Sequence, residues 1–523
     1  MSVAEERPEV RIDTGVVRGR WRPTVGGPAG VSATRSAEFL GIPFAEAPVG
    51  GLRFGAPVPR SPWDGVLDAG AYGATAQRGD PGVVLIPEPS IPGDGTLNVN
   101  VFTPSPEHSD GALLPVLVWI HGGGYFAGSP ASPWYDGRNF NRDGVVTVTV
   151  SYRLGFDGFG WIEDAPSNRG VRDWLLALDW VQRNIAAFGG DPARVTLAGQ
   201  SAGGGAVLTL LGMEAAQHLF SRAIVMSGVL AAASSDRAEA FGRDVARRAG
   251  VAPTLAGMAT VPEERLLRLQ RKATSIDLPG LRAAFTHGLP LGPTVDGDLL
   301  PQGTIAALRS GVGADKPVLI GATDDEFTRL FVDAPLKYLM PLLPTAAILA
   351  LLAVPRALRA DYLTANPDVL ARGRGALAGR LLSDAMFRVT VPRIADFRAS
   401  TPGAAPIWTY RFSWTSGPSG IAGHCLDVPF FFDCLDGPAI EPLAGPRPPQ
   451  ALADQVHGAA VTFVTDGAPG WPASTATAPI SRVFDVPVRD VPVRDVPDAY
   501  ASARPLLTHS RHAVPRTSAG EAR

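Results

Sequence analysis

The chain has 523 residues, 45% of them hydrophobic and 19% charged, a balance that fits a folded, core-forming protein and excludes a disordered one. A formal net charge of −3 leaves no electrostatic footprint for nucleic acid or an anionic membrane. Two cysteines, Cys425 and Cys434, cannot build a disulfide framework, and the positive charge comes from Arg with hardly any Lys, which with abundant Ala, Gly and Pro points to a GC-rich bacterial gene.

The first stretch, Met1 to Asp13, is acidic and polar and has no apolar h-region, so no secretory signal is expected. Leu114–Ile120 reads as a buried strand running into a glycine loop, His121-Gly122-Gly123-Gly124-Tyr125. Three glycines in a row lose backbone entropy on folding, and a reason to keep them is that bare N–H groups can approach an oxyanion. A phosphate-binding loop would need a Lys and a following helix, and both are missing. The N–H groups of Gly123 and Gly124, joined by that of Ala202, are expected to form a three-donor oxyanion hole.

Val145–Val150 is a second strand. Val171, Trp174, Leu175, Leu178, Val181 and Ile185 then recur at helical spacing until Gly189-Gly190-Asp191-Pro192 stops the helix. Arg194–Gly199 is a third strand, and it enters Gly199-Gln200-Ser201-Ala202-Gly203 followed by a small-residue helix start. A strand turning sharply into a helix is the context in which this five-residue pattern presents a nucleophilic serine, here Ser201, above a sheet. The helix N-terminus behind it favours developing negative charge. Ala223–Met226 and Pro317–Gly321 continue the series, and after the latter come three carboxylates, Asp324, Asp325 and Glu326, among which residue chemistry alone does not choose. A solvated acidic turn is the plain reading for Asp324.

Residues 327–400 are helical in composition and read as an insertion over one end of the sheet. Their longest apolar run, Met340–Val354, falls short of the ~18 residues needed to cross a bilayer and contains Pro341 and Pro344, so a buried or pocket-facing helix is expected. Ile407–Phe412 adds another strand. Near the end, Asp485-Val486-Pro487-Val488-Arg489 repeats at once as Asp490–Arg494, an extended surface duplication. Alternating strands and helices argue for an α/β fold with a mostly parallel sheet covered on both faces. One domain is expected over residues 1–505, with a frayed tail over 506–523.

Several motifs in this order resemble the type-B carboxylesterase family, which includes bacterial para-nitrobenzyl esterases and cholinesterases. They are Gly41-Ile42-Pro43-Phe44-Ala45 through Pro48–Phe54, Tyr152-Arg153-Leu154-Gly155, Asn168-Arg169-Gly170, and Asn184-Ile185 to Phe188–Pro192. The resemblance spans roughly Asp13 to Trp471. It implies an α/β-hydrolase fold and a serine carboxylic-ester hydrolase that needs no cofactor and no metal. From Gly321-x-x-x-Asp325-Glu326 it selects Glu326 as the acid.

The base comes from eight histidines. His108 lies in a polar turn, His218 and His457 in helical stretches, His287 in a variable-looking segment, and His509 and His512 in the tail. His121 belongs to the glycine loop, as its brace. His424, in Gly423-His424-Cys425-Leu426-Asp427-Val428-Pro429-Phe430, matches the family's His-x-x-x-x-Pro-Phe pattern, and the order Ser, Glu, His is that of α/β-hydrolases. By the same resemblance Ser227 supports the acid and base. Tyr125 faces the acyl or alcohol pocket, and Gln200 stands where many members carry Glu.

Two departures weigh against a choline ester. The family's Glu-Asp-Cys reads Gly93-Asp94-Gly95, and the loop Gly79–Gly95 has no Trp for an aromatic cage. The expected substrate is a small-molecule ester with a short to medium acyl chain, hydrolysed in the cytoplasm without membrane insertion. The alternatives are a lipase for longer chains, an amide or carbamate hydrolase or an acyltransferase with the same triad, and a catalytically silent binding or adhesion relative.

Overall fold

The β-branched runs of the sequence become the strands of one large sheet because each is apolar on both sides, a pattern that suits a sheet covered by helices on both faces. A computed structural model describes residues 7–24, 35–79, 85–106, 112–230, 234–271, 274, 280, 288–333, 336–485 and 493–509. His108, His287, His512, the repeat between residues 486 and 492 and the tail beyond residue 509 lie outside the described residues.

The strands, in chain order, are β1 (Glu9–Ile12), β2 (Gly15–Arg18), β3 (Arg20–Pro23), β4 (Arg35–Pro43), β5 (Val66–Asp68), β6 (Asn98–Thr103) and β7 (Leu114–Ile120). There follow β8 (Val146–Val150), β9 (Gly190–Gln200), β10 (Arg222–Met226), β11 (Val318–Thr323), β12 (Ile407–Phe412), β13 (Ile480–Phe484) and β14 (Val493–Pro497). The main sheet has eleven strands in the order β14-β13-β12-β11-β10-β9-β7-β8-β6-β4-β3, and β1, β2 and β5 form a small separate sheet. From β8 to β13 every neighbouring pair is parallel, while both margins are antiparallel. This is the mostly parallel α/β architecture that the alternation of runs predicts.

The helix Arg169–Asn184 packs Val171, Trp174, Leu178 and Val181 into the main core and closes with one tighter turn, Ile185–Phe188. Gly189, at φ 84°, is the stop, and Gly190, Asp191 and Pro192 already belong to β9, so the strand starts four residues earlier than its β-branched run. The apolar run from Met340 breaks at Pro344 into a short turn and the helix Thr345–Leu351. Ile348, Leu349, Leu352 and Val354 are buried there, while Leu342 points outward. Among the described residues no helix is long and apolar enough to cross a membrane.

Between β11 and β12 the chain is helical, ending in Arg374–Ser383 and Thr390–Ser400, which are joined by a π-turn over Asp384–Arg388. Asp324, expected in a solvated turn, is instead buried beneath these helices. It pairs with Arg388 (2.6 Å) and accepts from Nε and Nη2 of Arg411 (2.6 and 2.7 Å). Asp325 is held by Arg372 (3.1 Å) and Arg380 (3.6 Å). Arginines arriving from the inserted helices and from β12 are what take this acidic turn out of water.

Candidate active site

The parallel strands all end on one side of the sheet, the rim on which open α/β sheets carry their sites. Ser201 follows β9, Ser227 follows β10, Glu326 lies three residues past β11, His424 lies on the loop after β12, and the glycine loop follows β7.

Ser201 sits at φ 60°, ψ −123°, a backbone region that non-glycine residues avoid. The strain is held by tight surroundings. Ser201 N donates to Met226 O (2.9 Å), and Ser201 O accepts from Gly205 N (2.9 Å) and Val229 N (3.1 Å). Any side chain at Gly203 would start 2.0 Å from Ile120 O, so only glycine lets the helix Ala202–Leu211 come this close to β7. The turn presents Ser201 to a cavity that it helps to line.

His424 Nε2 lies 3.0 Å from Ser201 Oγ, and its Nδ1 makes a short hydrogen bond to Glu326 Oε2. Glu326 Oε1 accepts from Ser227 Oγ (2.6 Å) and from Thr323 N (3.0 Å), so neither carboxylate oxygen is left unpaired. Two backbone bonds, His424 N to Glu326 O (3.0 Å) and Asp325 N to Ala422 O (2.8 Å), fix the loops against each other. The rings of Phe327 and Phe387 flank the imidazole at 5.1 and 4.8 Å between centroids. Ser227 thus contacts Glu326 directly.

Burial works against the imidazolium of His424, but Cys425 and the Glu326 carboxylate favour it and hold His424 well above its ordinary value. Burial also pushes the Cys425 thiol up, so at neutral pH it is uncharged and the carboxylate is the acting charge. Gln200 links both neighbours: its Nε2 lies 3.3 Å from His424 Nε2, and its Oε1 accepts from Cys425 Sγ at 3.5 Å.

The glycine loop is braced from beneath. His121 stacks on Tyr152 at 4.5 Å, its Nδ1 lies 2.9 Å from Gly122 O, and burial lowers its pKa to about 4, so it stays neutral. Gly123, at φ 100°, has room for no side chain: a Cβ would fall 2.1 Å from Ala127 O. Among the described residues the N–H groups of Gly123, Gly124 and Ala202 have no backbone acceptor, Ala202 because the first N–H groups of a helix never do.

Tyr125 is a correction. It does not face the pocket but is fully buried behind the loop, against Phe159 and Trp174 at 5.1 and 6.1 Å. Its left-handed backbone, at φ 65°, swings the ring inward and leaves Phe126 on the pocket side. The cavity of about 160 Å³ is lined by Phe126, Phe327, Met386, Phe387 and Leu289, with Glu88 and Tyr135 at its wall. Sequence reading missed Phe126, Met386, Phe387 and Glu88. Only Phe126 carried a local signal, as the next residue after the glycine loop; the others arrive from distant loops and from the π-turn. Two further histidines stay outside the site: His218 is exposed, and His457 is buried between Phe431 O (2.8 Å) and Asp143 (2.9 Å).

A model of the carboxylesterase family matches residues 6–480. The para-nitrobenzyl esterase of Bacillus subtilis is 33% identical, over 83% of this chain and 88% of its own. The fumonisin B1 esterase of Sphingopyxis macrogoltabida is 32% identical, over 82% of this chain and 79% of its own. The crystal structure of a Geobacillus stearothermophilus carboxylesterase superposes with a TM-score of 0.78 at 32% identity, covering 95% of this chain and 99% of that one.

Proposed function

This chain belongs to the carboxylesterase family, an ester hydrolase of α/β-hydrolase fold, and from that premise we propose the part each residue plays in the reaction. Ser201 is the nucleophile, His424 the general base and then acid, and Glu326 the carboxylate that orients the imidazole and stabilises its cation. The observation that carries this reading is the continuous hydrogen-bonded line from Ser201 Oγ through His424 to Glu326.

As Ser201 Oγ attacks the ester carbonyl, its proton passes to His424 Nε2. The charge that builds on the carbonyl oxygen is taken by the N–H groups of Gly123, Gly124 and Ala202, donors already in place when the charge appears. His424 then gives the proton to the departing alcohol oxygen. A water activated by the same imidazole splits the acyl–Ser201 bond and returns the serine. Ser227 keeps Glu326 in register, and Gln200 borders both the imidazole and the nucleophile.

The same reading gives short to medium acyl chains as substrates, supported by a cavity of about 160 Å³ lined in part by Phe327 and Phe387. It takes residues 1–505 as one catalytic domain, supported by the main sheet, whose strand ends lead into the glycine loop, Ser201, Ser227, Glu326 and His424. It also places the enzyme in the cytoplasm, a reading supported by two free thiols, Cys425 and Cys434, both buried and unpaired with each other.

Labelling with a fluorophosphonate probe, followed by mass spectrometry of the adduct, tests the roles. One equivalent is expected on Ser201, and Ser201→Ala is expected to lose both label and hydrolysis of para-nitrophenyl esters. Unlabelled wild type, or equal hydrolysis by the alanine variant, overturns the proposal.

A further inference from the structure

A second cavity, of about 240 Å³, adjoins the catalytic one, and Phe126 and Thr274 line both. The helix Glu263–Arg271 forms one wall of it and carries Gln270 there. Gln270 is only 4% exposed, and its Oε1 accepts from Phe156 N (2.9 Å). That bond orients the amide, because an N–H₂ group cannot stand where Phe156 N needs an acceptor. Nε2, on the other side of the amide, has no acceptor among the described residues, yet it is not sealed from solvent as buried unpaired groups such as Trp119 Nε1 and Tyr125 Oη are. Its open side is therefore the cavity that Gln270 lines. Gly155, at φ 59°, makes room for the amide: a Cβ there would fall 2.7 Å from Nε2. A buried N–H₂ group fixed through its oxygen and left open at its nitrogen is a donor without an acceptor, and a ligand oxygen can supply one.

We propose that this second cavity is a substrate subsite, in which Gln270 Nε2 donates a hydrogen bond to an uncharged acceptor oxygen on the distal part of the ester whose carbonyl reacts at Ser201. The proposal rests on the Ser201 mechanism above and deepens it by naming the substrate class: esters with a ketone, amide or ether oxygen set back from the ester bond. The charged side chains of the wall are largely spent on one another. Arg53 Nε donates to Asp157 (3.0 Å) and its Nη1 to Val261 O (2.7 Å). Arg78 Nε donates to Glu263 (3.1 Å) and its other nitrogens to Thr75 O and Gly93 O, while Arg153 is held by the buried Asp173. Arg271 and Asp94 are left, one charge of each sign and both exposed, so the wall has no net charge that calls for an ionic ligand. Leu154, Phe156 and Leu266 supply its apolar part. A neutral chain that carries one polar oxygen matches both halves of this lining.

Two series of esters test it from both sides of the ester bond. One is para-nitrophenyl esters whose acyl chain carries a single ketone, set progressively farther from the ester; the other is acetates of alcohols built in the same way. The readout is the ratio of kcat/KM for each ketone to that for the plain chain of equal length, and comparing that ratio between proteins cancels the intrinsic reactivity of the esters. In at least one series the wild-type ratio is expected to peak at one position of the ketone. There Gln270→Leu is expected to lower it between about twofold and tenfold, the size of one hydrogen bond between uncharged partners. Gln270→Glu keeps an oxygen for Phe156 N and puts a carboxyl oxygen in place of the N–H₂ group. It is expected to lower the ketone ratio at the peak and to raise the ratio for a chain with an ammonium group at the same position, a reversal that mere loosening of the helix does not produce.

A wild-type ratio that does not depend on where the ketone stands, in both series, overturns the proposal without any variant. So does either variant keeping the wild-type ratio at the peak. If Gln270→Leu does not fold, because Phe156 N has lost its acceptor, the wild-type series and Gln270→Glu decide alone. Failure of the underlying mechanism is distinguishable, because it appears as ester hydrolysis that survives Ser201→Ala.

Discussion

Glu326 accepts three hydrogen bonds, and this sets what its neighbours are worth. Removing the Ser227 hydroxyl takes away a bond to a charged group, worth about 1.5–3 kcal/mol, so Ser227→Ala is expected to lower kcat about tenfold or more with little change in KM. Steady-state kinetics on one para-nitrophenyl ester check it. The active enzyme needs His424 neutral at Nε2, and the carboxylate holds its pKa above the ordinary ~6.5. Activity should therefore fall as pH drops through a midpoint higher than that. In Glu326→Gln the residual activity should show a lower midpoint, because burial then acts on the imidazole without a counter-charge. Tyr125 makes the opposite case: its buried hydroxyl has no hydrogen-bond partner among the described residues. Tyr125→Phe is expected to leave activity intact and to keep or slightly raise the melting temperature, whereas a pocket-lining role would shift KM.

Among the elements, the glycine loop and the turn at Ser201 were legible because their chemistry is written in contiguous residues. A side chain at Gly123 or Gly203 would collide with backbone, and the sequence shows that exclusion directly as glycine. Gly123→Ala is expected to displace the loop and lower kcat by about 10²–10³, the usual loss for an oxyanion donor such as the one proposed for Gly123. The start of β9 was not legible, since Gly190-Asp191-Pro192 has turn chemistry and joins the strand only through pairing with β7. Nor was the π-turn Asp384–Arg388. It arises where two helices meet, and it brings Phe387 against His424 and Met386 to the cavity wall. Phe387→Ala is expected to enlarge that end of the cavity and move the optimum of a para-nitrophenyl ester series to longer acyl chains.

At the scale of the whole molecule, the strand order and the line from serine to histidine to acid followed from motifs, but the ionic ties across the fold did not. No spacing rule links Asp324 to Arg388 and Arg411, which meet only after the inserted helices close over β11 and β12. Breaking one partner leaves buried charge uncompensated, so Asp324→Asn is expected to destabilise by about 3–5 kcal/mol, measured by chemical denaturation at neutral pH. Burial opposes the Asp324 charge, but Arg411 and Arg388 win and hold its pKa well below the usual carboxylate range. Its contribution is therefore complete above the unfolded value near 4 and is lost as pH falls below it, and the gap between variant and wild type should narrow in acid. The parallel strands have a consequence in time. Ser201 and His424 are separated by 223 positions in sequence and Glu326 and His424 by 98, so the reacting atoms meet only when crossovers on both sides of β10 are complete. After dilution from denaturant, turnover should return later than helical circular dichroism, and the rate at which product appears would clock the last step of assembly.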